Sequence, residues 1–169
     1  MIFTQTIHID SERCDQHEHL RADALFLLMQ NAAGEHAERL GAGRAQLVQS
    51  GIAWVLTRVS VRMTRWPKWN STLTLTTAPG VGRAGLYRRY FTFADEQGPC
   101  GHATSLWTVI DLNKRAIVSP DQAPNVPAAD GNNIEKQTPR RCLFFSWKGS
   151  TNSLFFYFLT YVFKPLLFL

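Results

Sequence analysis

The residues best suited to chemistry form one dense polar run near the N-terminus. Residues 15–19 read Asp-Gln-His-Glu-His, so carboxylates and imidazoles stand close together in the chain. These are side chains that often orient a water molecule and remove its proton. Asp15 and His19, at the two ends of the run, are the candidate catalytic residues. The alternative is a solvated loop whose polar side chains make ordinary turn contacts.

A long amphipathic helix is predicted directly after this run. Apolar residues recur at three- and four-residue steps from Leu20 to Leu40, and Gly41 and Gly43 end the pattern. The first backbone N–H groups of a helix have no partner within it, so they can stabilise a nearby negative charge. Within the helix, we expect His36 to pack in the core.

Alternating apolar and polar residues predict strands on both sides of the helix. The first strand covers residues 3–14, and a second covers residues 53–63. One face of the second strand should hold Ala53, Val55, Val59, Val61 and Met63, and the other Trp54, Leu56, Arg58 and Arg62. Further strands are expected around residues 73–75, 86–93 and 102–111, with turns at Gly80, Gly82, Gly98 and Pro99.

This order of elements predicts the fold class. One helix after the first strand, followed by four sequential strands with short connections, is typical of an antiparallel sheet curled around a central helix. That α+β arrangement is the hotdog fold. A ferredoxin-like sandwich needs a second helix between the strands, and the glycine-rich residues 80–85 are too few to form one. We therefore predict a hotdog domain over residues 1–138.

Charge argues against a nucleic-acid partner. The chain has 169 residues, about the size of one domain, and a formal net charge of +5. Four basic residues and no acidic residue follow position 138, whereas the first 138 residues carry 14 basic and 13 acidic side chains. A domain so nearly neutral does not indicate a groove for phosphates.

A different kind of sequence, residues 139–169, forms a hydrophobic tail. Residues 153–169 are almost wholly apolar, but this run is 17 residues long and contains Lys164 and Pro165. It is shorter than the ~20 residues that cross a bilayer. We therefore favour a truncated or frame-shifted remnant over a membrane anchor.

Cysteine usage and the N-terminus indicate the compartment. Cys14, Cys100 and Cys142 are odd in number and lack the spacing of a metal site, which suits a reducing environment. Residues 1–10 lack the positive start and continuous apolar core of a signal peptide. We expect a cytoplasmic protein that needs no metal and no cofactor.

Four segments together resemble the acyl-ACP thioesterases of fatty-acid synthesis, specifically the first of their two hotdog repeats. In order they are LMQNAAGEHA at 28–37, WVLTR at 54–58, RWPKW at 65–69 and ATSLWTVID at 103–111. The resemblance covers residues 3–120, about two thirds of the chain. It departs from the family at Asn31, where glutamate is usual, and after Pro120, where the second repeat has no counterpart.

The resemblance implies hydrolysis of a fatty acyl thioester, whose carbonyl oxygen gains negative charge as water attacks. It implies that Asp15 orients or deprotonates the water, aided by His19 and the helix N-terminus. Asp15 also stands where single-hotdog acyl-CoA thioesterases carry an aspartate in an Asp-x-x-Gly-His pattern, although Glu18 replaces the glycine. The expected carrier is acyl carrier protein or coenzyme A, and a non-catalytic acyl-binding module is a third alternative.

The resemblance also suggests substrate-binding residues. Trp54, Leu56 and Trp107 are expected to line a tunnel for the acyl chain, since such walls accept methylene groups for about 0.8 kcal/mol each. The alternative is that they are simply core. Arg58 is expected to attract the phosphate of the carrier's pantetheine arm, as are Arg83, Arg88 and Arg89, unless these arginines face water on the strands.

The predicted oligomer is a homodimer. A lone hotdog sheet leaves its outer face uncovered, and its edge strands keep unpaired backbone groups. Two copies packed sheet to sheet or edge to edge would solve this problem and would imitate the fused double repeat of the family.

Overall fold

A computed structural model describes residues 1–128, so the expected domain boundary at 138 and the hydrophobic tail lie outside the described residues. The elements are β1 (Phe3–His8), a 3-10 turn (Ser11–Arg13), α1 (Ala22–Arg39), α2 (Arg44–Gln49), β2 (Ile52–Met63), β3 (Thr72–Pro79), β4 (Tyr87–Asp95), β5 (Gly98–Asp111) and β6 (Ala116–Ile117). The strand order is β1-β3-β4-β5-β2, with β6 beside β5, and every pair is antiparallel. The hotdog prediction is confirmed.

The core lies between α1 and one face of the sheet. On the helix side, Leu25 and Met29 are almost completely buried, and on the sheet side so are Leu75, Phe91 and Phe93. Removing such a side chain from water contributes about 1.5–3 kcal/mol. This burial fixes one long face of α1 against the sheet and leaves its start and its opposite flank to form cavities.

The two ends of α1 differ. Arg21 precedes the helix and offers no side-chain cap, so the first-turn N–H groups are not capped by it. At the other end Gly41 has a φ of +69°, the left-handed conformation that glycine adopts at no steric cost. This allows the Ala42 N–H to bond the Ala37 carbonyl at 3.0 Å, the closing bond of a Schellman motif.

A β-bulge in β2 overturns the predicted faces of that strand. The register between β2 and β5 shifts between Leu56 and Arg58, so Thr57 is the extra residue. Beyond a one-residue shift, side chains that alternated outward point inward. Trp54 and Leu56 therefore share the helix-facing side with Val59, and Arg58 points to the other side.

Two strand boundaries and one short helix also differ from the prediction. The first strand ends at His8 rather than Cys14, because Asp10 accepts a bond from the Arg13 N–H and starts a 3-10 turn. β5 begins at Gly98 rather than residue 102, because Gly98 pairs with Asp95. The short helix α2 was not predicted, since six residues show no helical period.

Two further features of the described residues concern membrane-spanning helices and the edge of the sheet. Among residues 1–128, no helix has both the length and the apolar composition that a membrane span requires. β2, with 12 residues, is bonded to β5 along one edge and has no partner strand along the other within the same residues.

Candidate active site

The predicted catalytic residues lie together at the start of α1. Asp15 and His19 line a cavity of about 540 Å³, which we call the polar cavity. Its wall also includes Ala22, the first residue of α1, and the ion pair of Arg65 with Asp95. The structure therefore brings the polar run and the helix N-terminus to one site, as the sequence predicted.

Backbone hydrogen bonds hold the Asp15 carboxylate in place. Its Oδ1 accepts the N–H of His17 at 2.8 Å and the N–H of His19 at 3.0 Å. These bonds, led by that of His19, lower the pKa of Asp15. A carboxylate with a lowered pKa stays charged at neutral pH and is a weak base, so it is better suited to orienting a water than to taking its proton.

The loop that carries Asp15 is fastened to the segment before β3. The Glu18 carbonyl accepts the Trp69 N–H at 2.7 Å, and the Pro67 carbonyl accepts the Leu20 N–H at 2.8 Å. Glu18 itself has a φ of +64°, a conformation that favours glycine. At Glu18 the loop therefore has the left-handed backbone conformation that a glycine would adopt without steric cost.

The opposite wall of the polar cavity contains a paired carboxylate. Arg65 Nε donates to Asp95 Oδ2 at 2.9 Å, and Arg65 Nη2 also donates to the Gly98 carbonyl at 3.3 Å. The bond from Arg65 lowers the pKa of Asp95. Asp95 is thus engaged in an ion pair that joins β4 to the segment after β2, which makes it a weaker candidate for the water than Asp15.

A second, larger cavity runs along the flank of α1. It measures about 750 Å³ and is walled by side chains of α1, α2, β2, β3, β4 and β5, most of them apolar. We call it the apolar cavity. Trp54 and Tyr87 meet edge to face in its wall, with ring centroids 5.0 Å apart. Because Trp54 Nε1 donates to the Ala42 carbonyl at 2.9 Å, the indole leaves no polar atom unsatisfied there.

The predicted substrate-binding residues are placed unequally. Trp54 and Trp107 line the apolar cavity. Leu56 is half-buried and faces the same side of the sheet but is not part of the wall. The placement of Arg58 was wrong: the bulge turns this exposed side chain to the face opposite the cavity.

The two cavities have separate walls that meet at the start of α1. The two cavities share no wall residue: the polar cavity reaches Ala22, and the apolar cavity begins at Asp23. Because Ala22 and Asp23 are consecutive residues, the Asp15 site and the acyl-sized space adjoin at the first turn of α1.

Sequence reasoning misplaced Arg89, a buried residue in the wall of the apolar cavity. We expected Arg89 to serve a phosphate or to face water, but its side chain is only 7% exposed and lines the cavity. The sequence contained a signal for this position. Arg89, Phe91 and Phe93 are spaced by two residues along β4, so they lie on the same, inner face of the strand. His36 is buried, as predicted, and lies beside Arg89.

The described residues offer no ready metal site. Between positions 1 and 128, no group of three or more His, Cys, Asp or Glu side chains is arranged to hold a metal ion.

Comparison with known proteins identifies the relatives of this fold. A sequence model of the acyl-ACP thioesterase N-terminal domain matches residues 1–122. A search of curated protein sequences gives no match to this chain.

Solved structures of three thioesterases are similar. An acyl-ACP thioesterase from Bacteroides thetaiotaomicron has 24% identity and a TM-score of 0.67, over 90% of this chain and 57% of that one. The 12:0-ACP thioesterase from Umbellularia californica has 20% identity and a TM-score of 0.65, over 90% and 59%. A 1,4-dihydroxy-2-naphthoyl-CoA thioesterase from Synechocystis has 11% identity and a TM-score of 0.64, over 71% and 90%. The chain thus spans less than three fifths of the two ACP thioesterases.

Proposed function

This chain belongs to the acyl-ACP thioesterase family, and on that premise we propose that it hydrolyses fatty acyl thioesters and releases the free fatty acid. The observation that carries the proposal is the apolar cavity beside α1. Its volume of about 750 Å³ lies within the range of about 300–1,000 Å³ typical of small-ligand sites. Aromatic walls at Trp54 and Trp107 suit a methylene chain.

The polar cavity is the proposed place of the reaction. Asp15, held through Oδ1, orients a water molecule for attack on the thioester carbonyl. The backbone N–H groups at the start of α1 stabilise the charge that develops on the carbonyl oxygen. His19, in the same wall, assists the proton transfer as the carbon–sulfur bond breaks and the carrier leaves as a thiol.

We propose acyl carrier protein as the carrier, which places the activity in fatty acid biosynthesis and in the cytoplasm. Coenzyme A is the second candidate. The observation that favours it is the positive φ of Glu18, which stands at the glycine position of the single-hotdog Asp-x-x-Gly-His pattern.

We further propose that two copies assemble through β2. Its outer edge is long and has no partner strand among residues 1–128, and such edges are prone to pair with another chain. Light scattering on the full chain tests this directly. A molar mass of one chain across micromolar concentrations would contradict it.

The test of function uses the purified full chain and measures thiol release from acyl-ACP and acyl-CoA. Asp15→Asn keeps the oxygen that accepts the two N–H bonds but removes the charge, so it should abolish turnover without unfolding the loop. Asp10→Asn is the matched control, because Asp10 lies in the same region but outside both cavities. Saturable acyl binding without thiol release would overturn hydrolysis in favour of a binding module.

A further inference from the structure

A guanidinium group lies buried in the wall of the apolar cavity. Arg89, on the inner face of β4, is only 7% exposed. Burial lowers its pKa to about 10, so the side chain is still charged at neutral pH. A buried charge is costly unless a partner of opposite sign or several hydrogen bonds compensate it.

The two hydrogen-bond partners of Arg89 are neutral. Its Nη1 donates to His36 Nδ1 at 3.1 Å and approaches Thr77 Oγ1 at 3.4 Å. Because arginine only donates, Nδ1 must accept, so His36 is the neutral tautomer with its proton on Nε2. Burial, followed by the charge of Arg89, lowers the pKa of His36 to about 4, which agrees with that tautomer.

No carboxylate of the described chain neutralises this charge. Within residues 1–128, Arg89 forms no ion pair, and its Nε and Nη2 have no hydrogen-bond partner. Two acidic residues do line the cavity, but both are engaged elsewhere. Asp23 pairs with Arg21, and Glu38 accepts the Arg44 N–H at 2.7 Å at the start of α2.

Arg89 sits near one end of the apolar cavity. α1 contributes wall residues from Asp23 to Glu38, a helical length of about 22 Å. The partner of Arg89, His36, is near the far end of that span, about 21 Å along the helix from Ala22. A chain whose thioester lies at the start of α1 would therefore reach Arg89 with its distal part.

We propose that Arg89 is a carboxylate-binding residue, and that the apolar cavity takes an acyl chain ending in a carboxylate remote from the thioester. The inference rests on the proposed function for the position of the thioester. A carboxylate matches the two free donor positions of a guanidinium in a bidentate pair, and it supplies the charge that the described chain lacks. An unsubstituted alkyl chain would leave Arg89 buried and unpaired.

The test compares two ligands that differ only at one end. Monomethyl and dimethyl decanedioate have the same chain, and the methyl ester stands in for the thioester. Quenching of the fluorescence of Trp54 and Trp107 in the full chain reports their dissociation constants. The monoester should bind about tenfold or more tightly than the diester, as expected for a hydrogen-bonded charge. Equal affinities would overturn the proposal.

Variants sharpen the result. In Arg89→Met, the monoester should bind with nearly the same affinity as the diester. Unchanged binding of the diester to this variant shows that the cavity is intact. Arg62→Met, which removes the same charge from an exposed position outside both cavities, should keep the preference. If Arg89→Met does not fold, Arg89→Lys replaces it and should weaken the preference. An undiminished preference for the monoester in the Arg89 variant that is measured would contradict the assignment.

The result of this binding test can be distinguished from the result of the hydrolysis test. Thiol release from decanoyl-ACP with equal binding of the two esters refutes only the carboxylate site. A clear preference for the monoester without turnover of any acyl thioester supports the Arg89 site and refutes only hydrolysis.

Discussion

The polar and apolar cavities touch the same helix but are built in different ways. The polar cavity takes Asp15, His19 and Ala22 from one continuous stretch of chain, fastened by short backbone bonds. The apolar cavity draws its wall from α1, α2 and four strands, whose residues are far apart in sequence. Local hydrogen bonds hold the Asp15 carboxylate in the first cavity, whereas the wall of the second depends on tertiary packing.

This difference predicts that substitutions in the two cavities have separable effects on the proposed turnover and on the proposed binding of the acyl chain. Because the cavities share no wall residue, a substitution in one should leave the other nearly unchanged. Loss in kcat without change in KM marks an interaction made in the transition state, whereas a raised KM marks lost binding. Substrates with long and short chains therefore distinguish the two regions.

The largest effect is expected at Asp15. Loss of a group that positions the attacking water should lower kcat by about 10²–10⁴-fold. The loss should be equal for lauroyl and acetyl thioesters, since the polar cavity does not hold the chain. Steady-state kinetics on both substrates measures it. A loss confined to the lauroyl substrate would break the separation between the two cavities.

A stability effect of about 3 kcal/mol is expected at His36. The unfolded histidine binds a proton below its ordinary pKa of 6.5, whereas the folded one does so only below about 4. The unfolded state thus binds more protons between these values, so stability falls as pH falls through this window, by about 3 kcal/mol in total. Urea unfolding of the wild type and His36→Gln at pH 7 and pH 4.5 measures the difference.

The control for this measurement is His8→Gln, which removes an exposed histidine from β1. It should lose as much stability on acidification as the wild type. If His36→Gln shows the same loss as both, His36 is not the group that titrates, and the neutral environment around Arg89 is contradicted.

A smaller effect, on binding, is expected at Trp54. Trp54→Ala removes an aromatic wall of the apolar cavity and should raise KM for lauroyl thioesters about 10- to 100-fold, equivalent to roughly 1.5–3 kcal/mol of lost apolar contact. KM for acetyl thioesters should hardly change. Trp54→Phe, which keeps the ring but loses the bond to Ala42, should be intermediate. An equal rise for both substrates would point to general unfolding of the site.

The smallest effect is expected at Glu18 in the Asp15 loop. At a φ of +64° a residue with a Cβ is strained, so Glu18→Gly should stabilise the protein by about 0.5–1 kcal/mol. Gln16→Gly, two residues earlier at a position without positive φ, should destabilise it by a similar amount. Thermal unfolding of both variants provides the comparison. Stabilisation by both would mean that loop strain is not the cause.

Several elements followed from sequence patterns. The period of α1 predicted its course to within two residues at its start, and the alternation of β2 predicted its length. The polar run before α1 predicted the shared site of Asp15 and His19. These predictions succeeded because helical period, strand alternation and short turns depend on neighbouring residues.

Other features depended on contacts that no local pattern contains. The bulge at Thr57 reversed the faces of β2 and moved Arg58 away from the cavity, because register is decided by pairing with β5. α2 was too short to show a period. The separation of the two cavities at Ala22 and Asp23 likewise appeared only after α1 was packed on the sheet.

By itself the sequence determined the order of elements, the hotdog class and the Asp15 loop, because these arise from interactions between residues close in the chain. Only the tertiary structure decided which side chains wall the apolar cavity. It brought Arg89 of β4 against His36 of α1, 53 positions away in the chain. The pattern of β4 put the charge of Arg89 on the inner face, but only the fold decided which groups surround it. Burial and charge compensation depend on what packs opposite a residue, and that is fixed by the fold as a whole.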